Sequence, residues 1–113
     1  MRYMMLIIDT EAGLAQPASE LNSLFAEIRA WYEKMTAAGK IADRGSELQG
    51  GRTARTIRAG SVFDGPFIEA KEVLGGYSVL EADSMDEAVQ VAGSWPGVQQ
   101  GLVTIEVRPL VVR

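Results

Sequence analysis

Short apolar runs predict the strands of this chain. Residues 3–8 are apolar without a break, which is typical of a strand that is covered on both faces. Residues 102–108 alternate between apolar and polar positions, as a strand with one buried face does. Two further strands are predicted at residues 40–48 and 73–82.

Helical spacing of apolar residues predicts two helices. The first covers residues 18–38, between Pro17 and Gly39, and its stripe is interpreted as core and not as a cofactor pocket. That stripe consists of Leu21, Leu24, Phe25, Ile28, Tyr32 and Met35, with Trp31 at its edge. The second helix begins at Ser84, which forms a capping box with Glu87, and Pro96-Gly97 stops it. Its predicted buried face consists of Ala88, Val91, Ala92 and Trp95.

The order of these elements predicts one α+β domain over residues 1–113. Residues 52–59 and 61–63 are predicted to form an exposed hairpin that turns at Gly60. The resulting order β-α-β-hairpin-β-α-β is that of a ferredoxin-like split βαβ sheet with an inserted hairpin. Both helices should lie on one face of this sheet.

The first strand predicts a homodimer. It is apolar on both sides, whereas the two helices can cover only one face of the sheet. A second copy packed face to face would bury the other side in a symmetric interface. The alternative is a sheet face that carries large side chains against solvent.

Cysteine and histidine are both absent from the 113 residues. Disulfides, thiol catalysis, zinc sites of the usual kind and imidazole acid–base chemistry are therefore excluded. Proton transfer must use Asp, Glu, Lys, Tyr, a chain terminus or a bound water. Only oxygen ligands remain for a metal, and their spacing is not that of a calcium loop, so we expect no cofactor and no tightly bound metal.

The charge and hydropathy of the chain limit which classes of partner and which cellular location are expected. The formal net charge of −4 argues against a nucleic-acid partner. No stretch approaches 18 apolar residues, so no membrane span is expected. The first apolar run has no small-residue cleavage site and ends at Asp9, so we interpret it as a strand and expect a cytoplasmic protein.

Several motifs resemble the DGPF subfamily of YCII-related proteins. They are the segment DGPFIEAKE at residues 64–72, the following GGY at residues 75–77, and shorter matches in the opening strand, in the second helix and at the C-terminal end. The resemblance implies a dimeric α+β barrel built from ferredoxin-like protomers. The function of this subfamily is largely unassigned, and some members are encoded beside extracytoplasmic-function sigma factors. A His-Asp pair proposed as catalytic in the wider group cannot be transferred, because this chain has no histidine.

The candidate site residues cluster in and around this signature. We predict Asp64, Glu69 and Lys71 as catalytic residues, because a carboxylate beside an ammonium group in a cleft can act as a general base. The predicted ligand-binding residues are Arg58, Glu72 and Tyr77. The Gly75-Gly76 pair permits the close approach of a ligand or a backbone, and it could equally form a bulge.

Each of these residues also has a structural interpretation. Asp64 can cap a turn with Gly65-Pro66, and Glu69 and Lys71 can form a salt bridge between subunits. Tyr77 can belong to the core. Arg58 and Arg108 can hold an anion, or they can pair with Glu69 and Glu106.

Three functions are compatible with the sequence. The first is a small polar ligand bound in a cleft between the two sheets of a dimer, with carboxylate acid–base catalysis on an unidentified small molecule. The second is a non-catalytic accessory or regulatory protein, for example one linked to a sigma-factor system. The third is a structural dimerisation module.

Overall fold

A computed structural model describes residues 1–66 and 73–113 of the chain. The strands are β1 Arg2–Asp9, β2 Ile41–Glu47, β3 Arg55–Arg58, β4 Ser61–Asp64, β5 Val73–Glu81 and β6 Val103–Pro109. The helices are α1 Glu11–Leu14, α2 Ala18–Ala37 and α3 Met85–Gly93. None of these helices is long and apolar enough to cross a membrane.

The main sheet has four strands in the order β2-β5-β1-β6, and each neighbouring pair is antiparallel. The strands β3 and β4 form a separate two-stranded sheet between β2 and β5 in the chain. This is the predicted ferredoxin-like order with an inserted hairpin, so the α+β fold prediction is confirmed. The short helix α1 was not predicted from the sequence.

The core lies between the main sheet and the helices. Tyr3, Met5 and Ile7 of β1 are buried in one cluster with Ala88 and Ala92 of α3. The predicted buried face of the second helix is therefore confirmed, because both alanines and the following Trp95 belong to this core.

The predicted stripe of the first helix is confirmed in part, because Ile28, Tyr32 and Met35 pack against the core whereas Leu21 and Leu24 are not among its residues. Phe25 was expected to face the core, but 45% of its surface is exposed. Trp31, predicted at the edge of the stripe, is the buried residue of α2. Its indole N–H donates to Ser94 Oγ over 2.9 Å, and the acceptor that a buried indole requires explains why α2 turns this residue inward.

A directed chain of hydrogen bonds ties α2 to the sheet. Ser78 is fully buried in β5 and donates to the carbonyl oxygen of Arg44 over 2.7 Å. Tyr32 therefore donates its hydroxyl to Ser78 Oγ over 2.6 Å, and Trp95 Nε1 donates to Tyr32 over 3.4 Å. These hydrogen bonds satisfy the hydroxyl groups of Ser78 and Tyr32, and they hold an irregular part of β2 against β5.

The opposite side of the sheet carries a second row of apolar side chains. Alternation places Met4, Leu6 and Ile8 of β1 on this side, and the register places Val79 and Tyr77 of β5 opposite Met4 and Leu6. These half-buried side chains are not members of the helix-side core. We call these five residues the open face.

Candidate functional site

Two of the predicted site residues, Arg58 and Asp64, lie on the hairpin. We call residues 51–66 the arm. Asp64 pairs with Arg55, with 3.2 Å between Oδ1 and Nε, and both side chains are largely exposed. Arg58 is three positions further along the strand, opposite Ser61, so about 10 Å of strand separates it from the Asp64 end of the hairpin. The hairpin register therefore does not bring these two residues together.

Tyr77 belongs to the open face and not to the helix-side core. Its Cα partners are Leu6 on β1 and Ser46 on β2. Arg108, considered as an anion holder, pairs instead with Glu106 over 2.6 Å. The predictions for Glu69, Lys71 and Glu72 fall on residues 67–72, which lie outside the described residues, and they stay predictions.

A further carboxylate is placed at the end of β1. The carboxylate of Asp9 lies directly over Gly75 of β5, in the space that a side chain at position 75 would occupy. A Cβ atom built on Gly75 would be 2.5 Å from Cγ and Oδ1 of Asp9. Such a distance is too short for two carbon atoms, so this position accepts glycine only while Asp9 keeps its place.

A bulge in β5 creates this arrangement. Ile7 pairs with Gly76 and Ile8 pairs with Leu74, so Gly75 is the extra residue between them. The bulge interpretation of the glycine pair is therefore confirmed. Asp9 pairs next with Val73, the first residue of β5, which comes directly after the signature segment in the sequence.

The residue after Asp9 fixes this end of β1. Thr10 is buried and donates its hydroxyl to the carbonyl oxygens of Gly101 and Leu102, over 2.8 and 3.0 Å. The same oxygen accepts from the backbone N–H of Gly13 over 3.1 Å and caps α1. These contacts tie the residue that follows Asp9 to the loop before β6, which limits how far the Asp9 backbone can move.

Burial raises the pKa of the Asp9 carboxyl above its ordinary value. Within residues 1–66 and 73–113, no hydrogen bond or ion pair to this carboxylate is found. A partly buried carboxyl group holds its proton more readily than an exposed one. A raised pKa is one of the properties that a general acid or base requires.

Two shallow grooves are present on the helix side of the described residues. One of about 380 Å³ runs between α2 and the loop after α3, and the other measures about 160 Å³. They share Glu27, Gly97 and Gln100. Neither groove is lined by Asp9 or by the described candidates Arg58, Asp64 and Tyr77.

Sequence reasoning treated Asp9 only as the end of a strand. The available signals were a carboxylate directly after six apolar residues and a pair of adjacent glycines near the start of another strand. Their connection depends on the register between β1 and β5, which neither segment specifies alone.

The fold is shared with an enzyme of known structure. The chain superposes with a TM-score of 0.62 on 5-chloro-2-hydroxyhydroquinone dehydrochlorinase from Burkholderia phenoliruptrix AC1100, solved in complex with 2,5-dihydroxybenzoquinone. The two sequences are 20% identical, and the match covers 98% of this chain and 94% of the other. At this identity the likeness shows the fold.

Sequence comparison places the chain in a family. It is 32% identical over 106 residues to an uncharacterized protein of Rhizobium meliloti (strain 1021), which covers 90% of this chain and 85% of that protein. The model of the YCII-related domain matches residues 1–111. The chain therefore belongs to the YCII-related domain family.

Proposed function

We propose that the protein binds a small organic molecule with an ionisable hydroxyl group and that Asp9 exchanges a proton with it. The observation that carries this proposal is the half-buried carboxylate that lies over Gly75 without a partner among the described residues. A carboxyl group with a raised pKa that lies close to the backbone of a neighbouring strand is a candidate for binding or proton transfer.

The proton transfer follows from ordinary acid–base chemistry. The Asp9 carboxylate accepts the proton of a hydroxyl group, which leaves a neutral carboxylic acid and an oxyanion on the bound molecule. The protonated Asp9 can then return the proton to another atom of that molecule. The predicted Glu69, Lys71 and Glu72 precede the point where β5 starts beside Asp9, and the ammonium group of Lys71 would balance the charge of the oxyanion.

The remaining predicted residues belong to the proposed surroundings of this site. Arg58 and Asp64 would contribute from the arm, and Tyr77 would contribute its hydroxyl from the open face. The solved enzyme with the same fold was crystallised with a hydroxylated quinone. This supports a hydroxylated ring as the first class of ligand to test.

We also propose that the protein is a homodimer, as in a dimeric α+β barrel. The open face supports this, because a row of apolar side chains outside the helix-side core gains stability when a second sheet covers it. Two sheets packed in this way would enclose a cleft between them, and clefts of this kind are where small molecules usually bind.

Binding of 2,5-dihydroxybenzoquinone tests the proposed function. We expect calorimetric titration to show binding that weakens about tenfold or more in Asp9→Asn, because a charged hydrogen bond is lost. Glu33→Gln is the matched control, since it changes an exposed carboxyl of α2 to an amide and should bind as the wild type does. Equal binding by Asp9→Asn, or no binding by the wild type at millimolar concentration, would contradict the proposal. Binding without any change of the quinone spectrum over time would favour the non-catalytic alternative.

A further inference from the structure

We propose that the arm docks on a second copy of this chain. The proposal rests on the homodimer proposed above and adds a second contact to it. It follows from the separation of the arm from the main sheet, from the exposed apolar residues of the arm, and from its charge.

Hydrogen bonds between its own residues stabilise the arm. Its strands β3 and β4 form a sheet of two strands, apart from the four-stranded sheet. At its base, the backbone N–H of Gly65 donates to the Ala54 carbonyl over 2.8 Å, and the Thr56 hydroxyl donates to the Gly65 carbonyl over 2.7 Å. A hairpin of two strands is only marginally stable in water, so an arm of this kind gains stability from a surface that covers it.

The arm exposes apolar side chains to solvent. Ile57 and Val62 lie directly opposite each other on the two strands, and they are 75% and 64% exposed. Phe63, on the other face of the hairpin, is 53% exposed. Adjacent exposed apolar residues of this size indicate an interaction surface.

The charge of the arm is opposite to that of the rest of the molecule. Three arginines and one aspartate give the arm a formal charge of +2. The other described residues carry seven Lys or Arg and twelve Asp or Glu, which gives −5. A partner for the arm should therefore be acidic and partly apolar, and a second copy of this chain has both properties.

The molecule is less compact than a typical globular chain of its length. The radius of gyration is 15.2 Å, compared with about 13 Å for a compact chain of this length. The Cα atoms span 44 × 43 × 18 Å, and the smallest extent is filled by one sheet and one layer of helices. An arm that lay across the open face of its own chain would add a third layer. These dimensions therefore favour an arm that leaves the open face of its own chain uncovered, so that a second copy can pack there.

The absence of cysteine from the chain permits a direct test. Three single variants are made, each with one cysteine. Ile57→Cys reports on the arm, and Thr104→Cys reports on the open face, because Thr104 on β6 pairs with Ile8. Ser23→Cys, on the exposed side of α2, is the control. The rate at which each thiol reacts with a disulfide reagent is measured as the protein concentration rises through the dimerisation range. We expect the thiols of Ile57→Cys and Thr104→Cys to react at least about tenfold more slowly in the dimer, and that of Ser23→Cys to be unaffected.

The outcomes distinguish docking of the arm from formation of the dimer through the open face. Protection of Thr104→Cys alone would overturn docking of the arm and leave the proposed dimer intact. Protection of Ile57→Cys alone would support the arm and contradict the proposed dimer face, while protection of neither would contradict both. If the thiol of Ile57→Cys is protected only when RNA is added, the arm binds RNA and not a second copy of this chain, which would overturn the proposal.

A second measurement supports the same distinction. The double variant Ile57→Thr/Val62→Thr keeps the strand preference of the arm and removes part of its apolar surface. We expect sedimentation equilibrium to show a dimer about tenfold weaker, whereas Val112→Thr, at a position that is 93% exposed in the C-terminal tail, should leave it unchanged. An unchanged dimer in the double variant would count against the arm contact.

Discussion

Replacing Gly45 by alanine should bring the protein close to unfolding. Gly45 has a φ of +69° in the irregular part of β2, and it lies against the backbone of β5. An added Cβ atom would overlap the carbonyl oxygen of Tyr77, and it would lie 2.7 Å from the carbonyl carbon of that residue. Because these are backbone atoms of a central strand, they cannot move aside as the end of a side chain can.

The expected loss from Gly45→Ala is about 4 kcal/mol or more in the free energy of unfolding. That is a large share of the roughly 5–15 kcal/mol that stabilises a domain of this size. Gly39→Ala is the matched control, because Gly39 also has a positive φ, of +74°, but nothing lies within 4 Å of an added Cβ atom. The control should lose only about 1–2 kcal/mol. Urea unfolding followed by circular dichroism measures both losses, and similar losses in the two variants would contradict the close approach of β2 and β5.

Replacing Gly75 by alanine should displace the carboxylate of Asp9. An alanine at this position needs the space that Cγ and Oδ1 of Asp9 now occupy. We expect a loss of about 1–3 kcal/mol in stability, as is typical of overpacking. We also expect the binding of 2,5-dihydroxybenzoquinone to fall to the level of Asp9→Asn, because both changes remove the carboxylate from its position.

A double-mutant cycle isolates this contact. In an Asp9→Ala background, Gly75→Ala should cost little or nothing, because the atoms that it meets are gone, and we expect a coupling of about 1 kcal/mol or more. The neighbouring Gly76→Ala serves as the control. Its added Cβ atom would meet the Ser46 carbonyl oxygen at 3.1 Å and not Asp9, so its cost should be the same in both backgrounds. Additive losses for Gly75→Ala and Asp9→Ala would show that the carboxylate does not lie over Gly75.

The regular elements could be predicted because their signals are local. The unbroken apolar run at residues 3–8, the alternation at residues 102–108 and the capping box at Ser84 each specify an element without knowledge of the rest of the chain. The order of the elements then limits the topology to the split βαβ arrangement that the structure shows. The open face could be predicted from the same argument, because helices on one side of a sheet cannot cover both faces of its strands.

The features that sequence reasoning missed depend on distant partners. The helix α1 is capped by Thr10, whose hydroxyl is held by carbonyl groups about 90 residues away in the chain. Phe25 fits the periodicity of α2, and only the packing around Trp31 shows that the helix turns it outward. The position of Asp9 depends on which residue of β5 forms the bulge, and the sequence offered two interpretations of the glycine pair. Site prediction therefore concentrated on the signature, where charged residues are adjacent in sequence.

The pKa of the Asp9 carboxyl group tests the proposed acid–base group most directly. It is measured by NMR from the chemical shift of the carboxyl carbon, and the signal is assigned by its loss in Asp9→Asn. Because burial raises the pKa of Asp9 in the folded state, the folded protein binds this proton more tightly than the unfolded chain. The contribution of Asp9 to the free energy of unfolding is therefore greatest at pH values below the ordinary pKa of an aspartate. It is lost as the pH rises through the raised pKa of the folded state. We predict a midpoint above the ordinary value of 3.8, and a free energy of unfolding that falls over this interval in the wild type relative to Asp9→Asn. A midpoint at or below 3.8 would show that the carboxyl is solvated or paired, and it would contradict the assignment of Asp9 as the proton-transferring group.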